Sequence, residues 1–138
     1  MFSSNTDMWA TPQDFFDKLN KKYKFSLDVC AVADNAKCKN YFDPEIDGLT
    51  QEWSGVCWMN PPYGRVISRW IEKAYTESVV KSNCTVVALL PARTDTKWFH
   101  DFIYLKGNVE LSFIRGRLKF GDGKNSAPFP SMVVVFNK

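Results

Sequence analysis

Asn60-Pro61-Pro62-Tyr63-Gly64 is the segment whose residue types point most directly to chemistry. It follows an apolar run, Gly55 to Met59, and precedes a stretch with helical spacing. Two successive prolines fix φ twice and bring no N–H groups, while their carbonyls stay free to accept. The Asn60 side chain adds an acceptor oxygen. Two acceptors on a stiff corner suit a planar amino group on an aromatic ring. The lone pair of such a nitrogen is delocalised, so it is a weak nucleophile. Gripping both N–H bonds localises the lone pair and readies it to attack an activated methyl group. Positioning and desolvation then carry the reaction without a strong general base. Tyr63 is expected to stack on the base that bears the amine, which must be flipped out of a duplex to be reached. Gly64 lets the chain turn away from that base. The competing reading is a strand-terminating turn with a packed tyrosine.

These groups need elements to hold them. Phe25 to Ala31 reads as a buried strand that carries Asp28 inside it. An unpaired buried carboxylate is costly, so Asp28 calls for either a ligand ammonium or a cap of backbone N–H groups. Thr11 can cap a helix with Pro12 at its first position, and Phe15, Phe16 and Leu19 continue with helical spacing. Val32 to Thr50 is polar, with turn signals at Asp43-Pro44 and Asp47-Gly48. Val66 to Val80 has helical spacing through Ile67, Trp70, Ile71, Ala74 and Val79. Thr85 to Leu90 fits a fully buried parallel strand that Pro91 ends. Lys97 to Leu105 reads as a short helix, with Asp95 a candidate cap. Val109 to Ile114 and Arg117 to Phe120 are expected strands joined at Gly116, and Ser131 to Phe136 is a last buried strand. The alternation gives an α/β fold, a mixed sheet with parallel members and a C-terminal antiparallel hairpin. Ligands of such sheets bind outside the carboxyl ends of the strands. Asp28 and Asn60 both fall at such ends.

Composition narrows the class. The 138 residues suit one domain, 1–138, and with 45% hydrophobic residues they can bury a core. No apolar run approaches the ~18 residues of a membrane span. Met1 to Asp7 is polar and lacks the features of a signal peptide, so a cytosolic protein is expected. Cys30, Cys38, Cys57 and Cys84 form no CxxC pair and read as reduced, small hydrophobes. His100 stands alone, so no metal site is expected. A net charge of +3 permits contact with a polyanion without demanding it.

The chain resembles the phage-type DNA N6-adenine methyltransferases, small Dam-like enzymes of phages and prophages. The likeness runs through Trp9-Ala10-Thr11-Pro12, Leu27-Asp28-Val29-Cys30-Ala31, Asp47-Gly48-Leu49 with Trp53, and Asn60 to Gly64. It continues through Leu90-Pro91-Ala92-Arg93-Thr94-Asp95-Thr96 with Trp98-Phe99-His100, then Gly116-Arg117-Leu118 and Ala127-Pro128-Phe129. The resemblance implies a compact Rossmann-like methyltransferase fold, S-adenosylmethionine as cofactor, DNA as partner and, if phage-encoded, a bacterial host cytoplasm. It makes Asn60, Pro61, Pro62 and Tyr63 the catalytic motif, with Asn60 also beside the cofactor. Asp28, Cys30 and Ala31 match the first cofactor motif, the carboxylate meeting the cofactor's amino-acid end. Asp47 matches the acidic position aimed at the cofactor's adenine, with Gly48 and Leu49 flanking it. Thr11 and Pro12 match the motif that closes over the methionine part, and Trp9 is expected as a wall of that pocket.

One departure is plain. No glycine follows Asp28 until Gly48, so the usual glycine-rich cradle must be shortened or replaced. Asp34 and Asp43 are candidates for a carboxylate on the ribose. Arg65, Arg69 and Lys73 are four apart and share a helix face beginning at the reacting corner. Arg115, Arg117 and Lys119 alternate beside the loop Gly121 to Pro130, a candidate for sequence reading or base flipping, and Arg93 follows a core strand. Phosphate contact and a solvated basic surface are the two readings of the helix and strand cations, and Arg93 is expected to meet either phosphate or the cofactor carboxylate. No separate target-recognition domain is visible. The rival functions are methyl transfer to RNA adenine or to a protein glutamine, and a non-catalytic DNA-binding relic of the fold.

Overall fold

The computed structural model describes residues 9–121 and 126–138. Its helices and strands follow in the order α1 (Gln13–Tyr23), β1 (Leu27–Asp28), β2 (Gly55–Met59), α2 (Ile67–Tyr75), β3 (Cys84–Pro91), α3 (Lys97–Phe102), β4 (Val109–Phe113) and β5 (Ser131–Phe136). One five-stranded sheet has the order β1-β2-β3-β5-β4. β1, β2 and β3 run parallel, and β5 lies antiparallel between β3 and β4. Met1 to Asp7, read above as a polar start, lies outside the described residues, as do 122–125 of the loop Gly121 to Pro130.

The mixed sheet is the expected one, and its C-terminal antiparallel pair is β4–β5. Arg117 to Phe120 form no strand. The place beside β4, between it and β3, is covered on both faces of the sheet. The run Ser131 to Phe136 fills both faces with apolar side chains, which Arg117 and Lys119 could not do. β1 is shorter than Phe25 to Ala31. Past Asp28 the chain turns toward the segment 40–42: Val29 N–H still donates to the Trp58 carbonyl at 3.1 Å, but Ala31 N–H donates to Phe42 at 3.0 Å.

Side chains alternate across the sheet. Val86, Ala88 and Leu90 of β3 enter the larger core with Ile67, Ile71 and Ala74 of α2 and Phe99 of α3. Val87 and Leu89 face the other way, onto Phe16 of α1, Trp58 and Phe120. The sheet is therefore covered by α1 on one side and by α2 and α3 on the other. Two caps differ from expectation. Pro12, not Thr11, is the N-cap of α1, and it makes no side-chain cap. Thr96, not Asp95, caps α3, its hydroxyl accepting the Phe99 N–H at 3.3 Å.

α2 continues into a π-helical turn, Thr76–Val80. The wider turn shifts the helical phase and buries Glu77 completely. Burial alone would push that carboxyl up. The Trp53 N–H at 2.9 Å, Lys81 at 3.0 Å and Lys73 at 3.4 Å hold it below the ordinary value. Lys73 also lies 5.8 Å from the centre of the Trp53 ring, so it braces this joint. Glu77 thereby anchors Trp53, whose indole N–H donates to the Gly48 carbonyl at 2.8 Å.

Gly48 sits where no other residue fits. A Cβ there would overlap the Val29 carbonyl and press within 3.2 Å of the Trp70 ring. Gly48→Ala should therefore lower unfolding stability by about 1–3 kcal/mol, read as a reduced midpoint in urea with an unchanged slope. A midpoint equal to the parent's would mean that the turn yields freely.

Candidate active site

The parallel register Asp28↔Trp58 places Asp28 and Asn60 at the same sheet edge, beyond the carboxyl ends of β1 and β2. Both line one cleft together with Trp9, Thr11, Cys30 and Lys37. Cys30 also lines an adjoining, largely apolar cleft with Ala31, Asp43, Asp47, Gly48 and Pro62. The two recesses share that wall.

The Asn60 amide is held from the nitrogen side. Nδ2 donates to the Trp9 carbonyl and to the Thr11 hydroxyl, the latter at 2.9 Å. Oδ1 is buried and has no partner among the described residues. An unpaired buried acceptor is unusual and costs free energy. Among the described residues no backbone donor reaches the Pro61 or Pro62 carbonyl either. The Asn60 oxygen and the two proline carbonyls are thus acceptors without a backbone donor among the described residues.

Asp28 is 2% exposed. Its carboxylate accepts the Lys37 N–H at 3.0 Å and the Cys30 N–H at 3.2 Å. The backbone cap and the cleft-lining position considered from sequence thus coexist. Burial raises its pKa from 3.8 to about 6, against the two N–H groups and the Lys37 charge, which lower it. The missing glycine cradle is replaced locally. A compact turn, with Asn35 and Ala36 N–H groups on the Val32 carbonyl, brings the Lys37 amide back onto Asp28. Tyr41 then makes a parallel bridge to Asp28. Burial and the charges of Asp28 and Asp47 push the Cys30 thiol up to about 12, so it stays neutral.

Asp47 takes up a left-handed backbone, φ 61°, and accepts the Leu49 N–H at 3.1 Å. Asp43 borders the same cleft, its carboxylate accepting the Ile46 N–H at 2.9 Å, whereas Asp34 is exposed and lines neither recess. Three expected positions differ. Leu49 lines neither cleft; its side chain packs against the larger core. Pro12 borders a separate groove with Phe15 and Arg117, because it opens α1 on the outer face. Tyr63 offers no free ring face: it is 2% exposed, and its ring meets the edges of Phe129 at 5.5 Å and Phe120 at 6.5 Å. Its hydroxyl donates to the Leu89 carbonyl at 2.9 Å, which satisfies a buried O–H and pins the bend to β3.

Arg65, Arg69, Arg93, Arg115 and Arg117 are all exposed. Arg69 and Arg117 line different grooves. Arg69 shares a groove with Lys73, Glu77 and Lys81. Arg117 and Lys119 lie with Lys18 of α1 along another groove, and the Arg117 guanidinium donates to the Ala127 carbonyl at 3.5 Å. Arg93 is near enough to Tyr63 to oppose the upward push of burial on that hydroxyl. Lys37, Asn35 and Lys18 were missed in sequence. Lys37 follows Asp28 by nine residues in a polar run, a signal no stronger than that of any surface lysine. Among the described residues no His, Cys, Asp and Glu cluster could hold a metal ion, and no helix is long and apolar enough to cross a membrane.

Because Asp28 titrates higher in the fold than in the unfolded chain, its contribution runs against the usual carboxylate. It is fully present below pH 3.8 and is lost as pH rises through about 6. In urea unfolding of the ligand-free protein between pH 4 and 8, this one group should remove up to about 3 kcal/mol. Asp28→Asn should flatten that fall. An equal fall in the variant would assign the pH dependence elsewhere.

The family model described as DNA N-6-adenine-methyltransferase (Dam) matches residues 1–138. The DNA N-6-adenine-methyltransferase of Haemophilus phage HP1 (strain HP1c1) is 36% identical over 143 residues, which cover 96% of this chain and 80% of the phage protein. The crystal structure of 23S rRNA methyltransferase ErmE superposes with a TM-score of 0.56 over 95% of this chain and 70% of that one, at 10% identity. That is a likeness of fold, and it agrees with a Rossmann-like methyltransferase sheet. The likeness read in the sequence from Trp9 to Phe129 extends over the whole of it, and the chain belongs to the DNA N-6-adenine-methyltransferase (Dam) family.

Proposed function

We propose that this chain transfers a methyl group from S-adenosylmethionine to N6 of adenine in DNA. The observation that carries the reading is the Asn60 amide: its nitrogen is consumed by Trp9 and Thr11, and its oxygen is buried at the cleft without a donor among the described residues. An exocyclic amine supplies the missing donor. The Pro61 carbonyl is the second acceptor for the same nitrogen.

The two neighbouring recesses suit the cofactor in chemistry. Asp28 is a buried carboxylate suited to an ammonium, and Lys37 on the same wall is suited to a carboxylate. Cys30, Ala31, Gly48 and Pro62 line the second, largely apolar recess, and Asp47 is an acceptor for an adenine amino group. When bound, S-adenosylmethionine supplies a methyl group on positively charged sulfur. Trp9 and Thr11 roof the recess at the methionine end and exclude water there. Asn60 and Pro61 hold the N–H bonds of the target and turn its lone pair outward, so that positioning and desolvation supply the rate. Tyr63 and Pro62 keep that corner rigid. Because Phe129 and Phe120 cover the Tyr63 ring, a base that stacks there has to displace them.

Arg65, Arg69, Arg93, Arg115 and Arg117 are the cations for DNA phosphates, with Lys18 and Lys119 beside Arg117. The reading takes 1–138 as one methyltransferase domain, at work in a bacterial host cytoplasm if phage-encoded.

Labelled-methyl transfer to DNA, RNA and protein in parallel tests the substrate, and N6-methyladenine in DNA is the expected product. Labelling of RNA or protein with none in DNA would overturn the reading. Asn60→Ala should lower turnover on DNA by about 10²–10³-fold or more, by analogy with the loss of one preorganised polar group at a reacting centre. Calorimetry of the same variant with S-adenosylhomocysteine should show affinity close to the parent's. Loss of that affinity with turnover intact would put Asn60 in cofactor binding instead.

A further inference from the structure

We propose that Thr11 is a positioning residue that, with the Trp9 carbonyl, locks the Asn60 amide with its oxygen toward the acceptor amine. The proposal rests on the methyl-transfer reading for its functional half and on geometry for its structural half.

An amide has two ends of nearly equal size and opposite hydrogen-bonding sense. Prolines at 61 and 62 stiffen the backbone beside Asn60 but leave the torsion of its amide unfixed. Trp9 decides the sense of that torsion, because a carbonyl can only accept. Thr11 takes the second N–H at 2.9 Å. A reversed amide would set Oδ1 against the Trp9 carbonyl and turn an N–H donor toward the donor N–H bonds of the target. Both contacts are repulsive, and the reversed state could not grip an amine.

Thr11 has little else to do. It is 6% exposed, and α1 begins without a cap from its side chain. The segment that bears it is held from both sides. Ala10 accepts the Gly121 N–H at 3.0 Å. The Trp9 ring meets the edges of Phe129 at 5.1 Å and Phe120 at 5.6 Å. Thr11 also borders the cofactor recess. Cofactor contact and alignment of Asn60 are separable roles for such a residue, and they predict different kinetics.

The test compares Thr11→Val, which keeps shape and loses the hydroxyl, with Thr11→Ser, which keeps the hydroxyl, in the full chain. At saturating methyl donor and DNA, kcat of Thr11→Val should fall by about tenfold. KM for the donor should stay within about threefold, and Thr11→Ser should return kcat to within about threefold of the parent. A raised donor KM with unchanged kcat in Thr11→Val would make Thr11 a cofactor contact and overturn the proposal. So would equal losses in both variants, which would mean packing.

A second measurement is independent of activity. The side-chain NH₂ of Asn60, identified in nitrogen-15 spectra by its loss in Asn60→Asp, should exchange slowly with solvent in the parent and in Thr11→Ser. It should exchange about tenfold faster in Thr11→Val. Equal exchange in all three overturns the lock. If the parent methylates no substrate, the methyl-transfer reading fails while the exchange experiment still decides whether the amide is held by Thr11.

Discussion

The site depends on one unbalanced amide. Asn60 has its donor end satisfied and its acceptor end buried without a partner among the described residues. In an ordinary core this would be a defect, because a buried acceptor without a donor forfeits its hydration. Here the deficit lies at the carboxyl edge of a parallel sheet, where ligands of this architecture enter. Everything nearby either sustains the imbalance or surrounds it. The prolines bring no N–H that could cancel it. The N-terminal segment commits Nδ2, and Tyr63 fastens the bend to Leu89.

A second uncompensated group lies across the same cleft. Burial makes the charged form of Asp28 costly, and two backbone N–H groups offset only part of that cost. A cation bound there would relieve it, so binding at this group and stability are linked. The loop after β1 makes this arrangement without a glycine cradle. Its tight turn at Val32 to Lys37 folds an amide back onto Asp28, and the close approach that glycine normally permits is transferred to Gly48. There the backbone passes beneath the Val29 carbonyl and against the Trp70 ring. Glu77 holds the same region from behind by way of Trp53. The phase shift of the π-helical turn is what aims Glu77 inward.

The backbone of this design was legible in the sequence wherever the signal was local. Apolar runs at Gly55 to Met59, Thr85 to Leu90 and Ser131 to Phe136 specify strands that need no context, and the spacing from Ile67 to Ala74 specifies a helix face. The corner at Asn60 to Tyr63 and the carboxylate at Asp28 stood out because their types disagree with the strands that precede them. What was not legible came from tertiary competition. The residues Arg117 to Phe120 alternate like a strand, but a better apolar strand takes the place beside β4. Thr11 has the type and position of a helix cap, yet its hydroxyl is taken by a residue 49 positions away. Lys37 has no local mark, because its place in the cleft depends on where the turn at Val32 returns the chain. Tyr63 reads as a ring waiting for a base, and only the packing shows Phe120 and Phe129 already on it.

That last point bears on what makes the corner rigid. Two prolines constrain φ, but they do not set which way Asn60 faces or how deep Tyr63 sits. Those choices belong to an aromatic network in which Tyr63 meets Phe129 and Phe120, and both of these meet Trp9. Each contact is modest, about 0.5–1.5 kcal/mol beyond its buried area. Their connectivity matters more than their sum. Trp9 supplies its ring to the network and its carbonyl to Asn60, so the orientation of one amide oxygen is tied to the packing of three aromatic side chains from distant parts of the chain. Loosening Phe120 or Phe129 frees the Tyr63 ring and at the same time removes support from the carbonyl that holds Asn60. The acceptor geometry is therefore a property of the tertiary fold, and the four-residue motif supplies its raw material.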